Sequence, residues 1–171
     1  MANNLSRRNF LKTIALGGGM VAGASVLAAC GGGGSAAPAT GGSSGGGGPV
    51  TLDIGSKGDE LAFDKTALEA TAGAKVTLNF KNNSNPGANL LHNWVLTKPG
   101  AAEGVEADGI AAGEANAYIK PNDDRVLAHT KMIKGGETDT VTFDAPAAGA
   151  YPFICTFPGH GVLMKGTLTV K

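Results

Sequence analysis

Apolar and polar residues alternate along short runs of the chain after Pro49. Residues 50–54 (VTLDI) and 75–80 (KVTLNF) are clear examples, and this period of two is typical of strands that bury one face. Five further runs carry the same signal, at residues 90–97, 126–129, 138–143, 150–155 and 166–170. Turn-forming sequences such as Asn85-Pro86-Gly87 separate the runs. Seven or eight short strands with turns between them predict an all-β sandwich.

One interval interrupts this pattern. Residues 101–120 are rich in Ala, Glu and Gly, show no alternation and end at Pro121, which favours a short helix or flap that covers one edge of the sandwich. Trp94 lies inside the apolar run 90–97. We therefore interpret it as a core residue rather than a redox relay.

The composition changes sharply before Pro49. Arg7 and Arg8 belong to a twin-arginine export pattern, and the apolar stretch 14–29 that follows leads to Leu-Ala-Ala-Cys30, which resembles a bacterial lipobox. That stretch is short for a bilayer span, which needs about 20 residues. Residues 1–29 are thus predicted to be a signal segment and Cys30 a lipidated cysteine. An uncleaved anchor helix is the alternative, and both interpretations place the folded domain outside the cytoplasm, in the periplasm or at the outer face of the cytoplasmic membrane.

Residues 30–49 are predicted to be a tether between this anchor and a single domain at 50–171. Residues 31–48 are almost entirely Gly, Ser, Ala, Thr and Pro, a composition with little to bury. As a flexible coil, such a segment spans roughly 23 Å. We therefore expect a domain that moves across a membrane surface without leaving it.

Charge and cysteine content exclude several classes of protein. The chain carries 14 basic and 14 acidic residues, and neither basic runs nor interleaved aromatic residues are present, so nucleic acid is not expected as a partner. The two cysteines, Cys30 and Cys155, lie on opposite sides of the Gly/Ser segment. An internal disulfide is therefore not expected. Separately, we expect the domain to be monomeric.

The candidate chemistry lies in the sequence CTFPGHGVLM, where Cys155, His160 and Met164 follow one another at C-x4-H-x3-M spacing. A loop between two strands can bring these three side chains to one point, with Pro158-Gly159 as the bend. His92, in the run 90–97, is the best candidate for a fourth ligand. Two imidazoles, one thiolate and a weak axial thioether form the ligand set of a type 1 copper site.

Each candidate ligand also has an ordinary structural explanation. A lone buried cysteine or strand histidine usually serves packing, and a lone methionine fills gaps. Because these residue types occur together at C-x4-H-x3-M spacing, a metal site is the stronger interpretation. His129 and Met132 fall outside the cluster, and we interpret His129 as a surface or half-buried residue. Structural zinc sites usually take Cys and His alone. A multicopper oxidase or nitrite reductase would need more histidines than the three present, and a copper storage or delivery module would need an exposed metal.

The domain resembles the azurin family of bacterial blue copper proteins. The resemblance is strongest at residues 92–96, 120–131, 141–144 and from Cys155 to the end of the chain, and the export signal and tether resemble those of the auracyanins. It implies the Greek-key cupredoxin fold and copper held by the four residues named above. It further implies a weak axial contact from the backbone carbonyl of Leu91, where the family usually has glycine. The family's disulfide is absent, since its positions correspond to Val50 and Gly73.

The same resemblance implies roles for the neighbours of the ligands. Asn93 would join the two ligand segments and help to direct amide donors, including that of Phe157, toward the Cys155 sulfur. An apolar surface patch would surround the edge of His160 and consist of Leu90, Phe157, Pro158, His160 and Val162. The implied function is one-electron transfer, without enzymatic activity, between redox proteins such as cytochrome c, a quinol-oxidising complex, and a reaction centre or oxidase.

Overall fold

The computed structural model describes residues 48–171. The predicted signal segment, Cys30 and nearly all of the tether therefore lie outside the described residues. The described chain forms eight strands and one α-helix, and these elements are β1 (Val50–Gly55), β2 (Ala67–Ala70), β3 (Lys75–Lys81), β4 (Val95–Thr97), α1 (Ala102–Ala112), β5 (Val126–His129), β6 (Thr138–Asp144), β7 (Gly149–Ile154) and β8 (Lys165–Val170). Within this range, no helix has the length and apolar character needed to cross a membrane.

The strands form two sheets. The smaller sheet has the order β1-β3-β6, and the larger has the order β2-β8-β7-β4-β5. Most neighbouring strands are antiparallel, whereas β1 with β3 and β2 with β8 are parallel pairs. Because β3 and β4 lie in different sheets, as do β5 and β6, the chain passes repeatedly from one sheet to the other. The predicted Greek-key sandwich of seven or eight strands is confirmed.

Strand β2 was not among the predicted runs. Its sequence, ALEA, alternates exposed and buried residues, with Leu68 and Ala70 buried, but Ala and Glu have low strand preference. Pairing with β8 holds this segment extended. Its conformation therefore depends on tertiary contacts that a four-residue window does not contain.

The alternation of the strands places a continuous apolar core between the sheets. The largest side chains that are wholly or almost wholly buried there include Trp94, Phe80, Phe153, Leu78, Leu96, Met164 and Leu168. Full burial of one such side chain contributes about 1.5–3 kcal/mol. The Trp94 ring lies 5.9 Å from that of Phe143 and 5.8 Å from that of Phe153, measured between centroids, so the interpretation of Trp94 as a core residue is confirmed.

The interval 101–120 contains helix α1, followed by a short 3-10 helix at Glu114–Asn116. The predicted helix is confirmed, but its predicted position at an edge of the sandwich is wrong. Val105 packs with Val95, Ile119 and Ile154 in a second buried cluster, and β4 and β7 are interior strands of the larger sheet. The helix covers a face of that sheet because Val95 and Ile154 supply an apolar surface on the side away from the main core.

Two contacts fix α1 to the segment that follows it. Arg125 donates to Asp108 on the helix at 2.5 Å and to Asp123 at 2.6 Å. The hydrogen bond from Arg125 to Asp123 lowers the pKa of Asp123 to about 2. Gly109 lies directly against the carbonyl of Tyr118, at a point where any side chain would collide with that carbonyl. Helix α1 is therefore held against the segment that follows it, which includes residues 117–119.

The predicted strand at residues 90–97 is shorter than expected, because β4 comprises Val95–Thr97 alone. His92 was expected in mid-strand and instead forms an isolated bridge with Ile133, with N–H to O distances of 3.1 and 2.9 Å between heavy atoms. The reason is that side chains interrupt the ladder. The Asn82 side chain donates to the backbone carbonyls of Leu90 and Ile133. The backbone N–H of Trp94 donates to the side-chain hydroxyl of Thr130.

Candidate metal centre

Three potential ligand atoms from two distant parts of the chain converge in the interior. The Nδ1 atoms of His92 and His160 are 3.2 Å apart, and the Cys155 sulfur lies 3.8 Å from the first and 3.7 Å from the second. Metal–nitrogen and metal–sulfur bonds in such sites measure roughly 2.0–2.3 Å. Atoms with these separations can therefore all bind one ion, and all three residues are buried.

The loop between β7 and β8 brings Cys155 and His160 together. The Cys155 N–H donates to the carbonyl of Met164 at 3.0 Å, which extends the pairing of the two strands by one step. Inside the loop, the His160 N–H donates to the Phe157 carbonyl at 2.9 Å. Gly159 adopts a φ of 82°, a conformation that glycine accepts without strain. The predicted curled loop with its bend at Pro158-Gly159 is what the structure contains.

His92 reaches the site from the bridge with Ile133. Its Nδ1 atom faces Cys155 and His160, while its Nε2 atom is buried and has no hydrogen-bond partner among residues 48–171. The direction of Nδ1, rather than the unpartnered Nε2, is the observation that bears on metal binding. A histidine with one nitrogen directed at a thiol and another histidine is better explained as a ligand than as a packing residue.

Asn93 connects the two ligand-bearing segments. Its side-chain oxygen accepts a hydrogen bond from the Thr156 N–H at 2.9 Å, and its amide group donates to the Thr156 hydroxyl at 2.8 Å and to the Ala117 carbonyl at 3.2 Å. Asn93 and Thr156 are both fully buried, so water cannot replace these bonds. The expected link between the segments is therefore present, and Thr156 is the residue through which it runs.

The electrostatics of the site favour uncharged ligands when metal is absent. Burial, and then the neighbouring His160, lowers the pKa of His92 to about 4, and burial also lowers the pKa of His160. Burial raises the pKa of the Cys155 thiol to about 11, although the backbone N–H groups of Asn93 and Phe157 donate to its sulfur and act in the opposite direction. A bound cation must therefore displace the thiol proton, as is usual for metal sites of this type.

Met164 and Leu91 are the predicted axial neighbours of the copper. Met164 is fully buried in the main core and directly precedes β8, and its N–H donates to the His160 carbonyl at 2.7 Å. Leu91 is half-buried next to His92. Axial contacts from the Met164 sulfur and the Leu91 carbonyl remain predictions.

The residues predicted to form an apolar patch around His160 differ in their exposure. His160 is 7% exposed and its ring centroid is 4.5 Å from that of Phe157, and the predicted patch members Leu90 and Pro158 are half-buried. Val162 is 63% exposed, and so to a similar degree is Leu163 at 66%. Leu163 was not among the predicted patch residues, and the patch itself remains a prediction.

Other residues near the site were also missed. Ala117 accepts bonds from both Asn93 and Thr156, and Tyr118 packs edge-on against Phe157 at 5.4 Å. Glu106 on α1 accepts a hydrogen bond from the N–H of Gly161. No local pattern predicts the contacts of the Ala117 carbonyl. The aromatic side chain of Tyr118 and the acidic side chain of Glu106 could have been noticed in the sequence as candidate neighbours of the site.

His129 lies outside the site, as predicted. It is exposed, and its Nδ1 atom is 3.1 Å from the Thr130 carbonyl. It is absent from the cluster of potential ligands among the described residues. Met132, which was also predicted to lie outside the cluster, is half-buried.

A thiolate and two imidazoles can hold copper or zinc, so the family decides which metal is bound. A family model described as copper binding proteins of the plastocyanin/azurin family matches residues 50–171, and the geometry of His92, Cys155 and His160 is that of a site for one ion. Copper is therefore the cofactor of this domain.

Comparison with known proteins leads to the same family. The chain is 53% identical over 125 residues to auracyanin-A of Chloroflexus aurantiacus, covering 72% of this chain and 75% of that protein. It is 52% identical over 115 residues to the azurin of Bordetella pertussis, covering 64% of this chain and 77% of that protein. A solved structure of auracyanin A, a "blue" copper protein, superposes with a TM-score of 0.67 and covers 72% of this chain and 99% of its own. The chain therefore belongs to the plastocyanin/azurin family of copper-binding proteins, the cupredoxins.

Proposed function

We propose that this protein is a membrane-tethered electron carrier that uses a single type 1 copper. The observation that carries the proposal is the convergence of two imidazole nitrogens and one thiol sulfur, 3.2–3.8 Å apart, in a buried position. A carrier needs a metal that accepts and returns one electron without making bonds to a substrate. A site whose three candidate ligands are buried meets that need.

The proposed ligands are His92 and His160 through Nδ1, Cys155 through its thiolate and Met164 as a weak axial ligand, with the Leu91 carbonyl as a second distant axial neighbour. When bound, the copper would supply a one-electron couple between Cu(II) and Cu(I). The protein's contribution is to keep the ligands still. Asn93 fixes both segments through Thr156, so little rearrangement accompanies a change of charge, and small rearrangement favours fast electron exchange.

Electrons would enter and leave through the edge of His160. This ligand has a slight exposure of 7%, whereas His92 and Cys155 have none. The surrounding patch of Leu90, Phe157, Pro158 and Val162 would form a small, weak interface, which suits partners that must dissociate quickly. The candidate partners are a quinol-oxidising complex, cytochrome c, and a terminal oxidase or photosynthetic reaction centre. Similarity to a blue copper protein from a photosynthetic bacterium supports a photosynthetic reaction centre as the electron acceptor.

Export and anchoring rest on the N-terminal sequence. We propose that residues 1–29 are removed, that Cys30 carries lipid, and that residues 30–49 tether the domain in the periplasm or at the outer face of the cytoplasmic membrane. The mass of the N-terminal peptide of the mature protein tests this. A diacylated Cys30 is expected, and an intact, unmodified N-terminus on a protein released from membranes would contradict it.

Substitution of one patch residue tests the electron-transfer proposal. Val162→Lys places a charge in the proposed interface without touching a ligand. We expect the second-order rate of electron transfer to a c-type cytochrome to fall about tenfold, which corresponds to about 1.4 kcal/mol, while the visible absorption band is unchanged. Stopped-flow mixing of the reduced copper-loaded protein with oxidised cytochrome measures the rate.

Ile110→Lys is the matched control, because Ile110 is also an exposed apolar residue, at 55%, but lies on α1. Its rate should stay within about twofold of the original. Equal slowing by both substitutions would contradict the assignment of the exchange surface. Transfer of copper to a metal-free acceptor faster than electron transfer would instead make the protein a copper-delivery module.

A further inference from the structure

The carboxylate of Glu106 touches the ligand loop. Gly161, which directly follows His160, donates its backbone N–H to Glu106 Oε1 at 3.1 Å. Gly161 is buried and Glu106 is half-buried on α1. This bond joins the helix to the part of the loop that carries the most exposed of the three converging ligands.

The absence of a side chain at Gly161 makes this contact possible. A Cβ atom there would lie 2.5 Å from Glu106 Oε2 and 2.7 Å from its carboxylate carbon, closer than real Cβ contacts come. Glu106 thus occupies the space that a side chain at residue 161 would fill. The two residues are matched in shape, in addition to their hydrogen bond.

The charge of Glu106 is not neutralised by an ion pair. Among residues 48–171, no basic side chain lies within 4.0 Å of its carboxylate. The charge lies close to the ligands, since the Gly161 amide that donates to the carboxylate directly follows His160 in the chain. Glu103, one turn earlier on the same helix, lines the same surface groove but is exposed, so solvent screens it more effectively.

We propose that Glu106 is a positioning residue for the copper site, which holds the His160 loop through the Gly161 amide and lowers the reduction potential of the bound copper. This proposal rests on the proposed function. Reduction adds one electron, taken from the donor protein, to Cu(II) and gives Cu(I), so the site loses one positive charge. A nearby fixed negative charge stabilises the oxidised state more than the reduced state, because its attraction is proportional to the charge it faces.

Two substitutions separate the charge from the hydrogen bond. Glu106→Gln removes the charge but keeps an oxygen that can accept the Gly161 N–H, whereas Glu106→Ala removes both. In the full-length copper-loaded protein, we expect each to raise the equilibrium constant for reduction about threefold to tenfold, where tenfold equals about 59 mV for one electron. In the metal-free protein, hydrogen exchange at the Gly161 amide should be at least about tenfold faster in Glu106→Ala and less than about fivefold faster in Glu106→Gln.

Glu103→Gln is the control and should shift the potential by less than one third as much. Gly161→Ala should raise Gly161-region exchange as Glu106→Ala does, and should add nothing in a Glu106→Ala background, because the two residues share one contact. The proposal is overturned if Glu106→Gln shifts the potential no more than Glu103→Gln, or if Glu106→Ala leaves the Gly161 amide as protected as before. A wild-type protein that shows no copper couple would instead defeat the proposed function and the potential effect with it, while the exchange measurement would still decide the positioning role.

Discussion

Replacing Cys155 with serine is expected to abolish the intense visible band of the copper-loaded protein, with a loss of about fiftyfold or more. Such a band arises from charge transfer between a thiolate and Cu(II), and a serine oxygen is a hard, weakly electron-donating ligand. The fold should survive. The new hydroxyl can accept the N–H bonds that Asn93 and Phe157 now donate to the sulfur, so the free energy of unfolding of the metal-free protein should fall by only about 1 kcal/mol.

Absorption spectroscopy after copper loading measures the band, and urea denaturation of the metal-free protein measures the fold. His129→Gln provides the control, because His129 is the one histidine of the three that is not a proposed ligand, and it is exposed. That variant should keep the full band. A Cys155→Ser protein that is folded and still blue would contradict the assignment of Cys155 as a ligand.

Replacing Asn93 with alanine is expected to cost about 2–4 kcal/mol of unfolding free energy in the metal-free protein. The substitution leaves the Thr156 N–H buried without its acceptor, at a cost of about 1–3 kcal/mol, and it also empties part of a fully buried position. In the copper-loaded protein the two ligand segments lose their link. We therefore expect copper to dissociate at least about tenfold faster, as is common when outer hydrogen bonds to a metal site are removed.

Asn79→Ala is a matched control for this experiment. Asn79 also joins distant segments through its side chain, with bonds to Asp53 and Thr140 of 2.8 and 2.9 Å, but those bonds are exposed to water. Asn79→Ala should lower the free energy of unfolding by less than about 1 kcal/mol and leave the rate of copper dissociation unchanged. Equal effects of the two substitutions on stability and on copper release would show that Asn93 has no special relation to the site.

Local pattern was sufficient to predict most of the sandwich and the ligand loop. Alternation has a period of two and needs no knowledge of distant residues, so strands such as β3 and β6 were identifiable from their own sequences. The loop from Cys155 to Met164 is equally local, because its candidate ligands lie within ten residues and its bend uses Pro158-Gly159.

Features that depend on distant contacts could not be predicted in the same way. His92 leaves the strand pattern because Asn82, ten residues earlier, and Ile133, far along the chain, bind the backbone around it. The helix lies on a sheet face because β4 and β7 are central in the larger sheet, which follows from strand order rather than from the sequence of residues 101–120. The bond between Glu106 and Gly161 likewise exists only after both elements are placed.

The central claim is that ligands from two separate segments bind one copper ion, and X-ray absorption at the copper edge of the copper-loaded protein tests it most directly. We expect one copper per chain with one short copper–sulfur bond, from Cys155, and two copper–nitrogen bonds, from His92 and His160. Separate Cys155→Ser and His92→Ala variants should lose the sulfur and one nitrogen, respectively. A copper bound by nitrogen and oxygen alone in the unaltered protein, or a coordination shell unchanged by His92→Ala, would contradict the account.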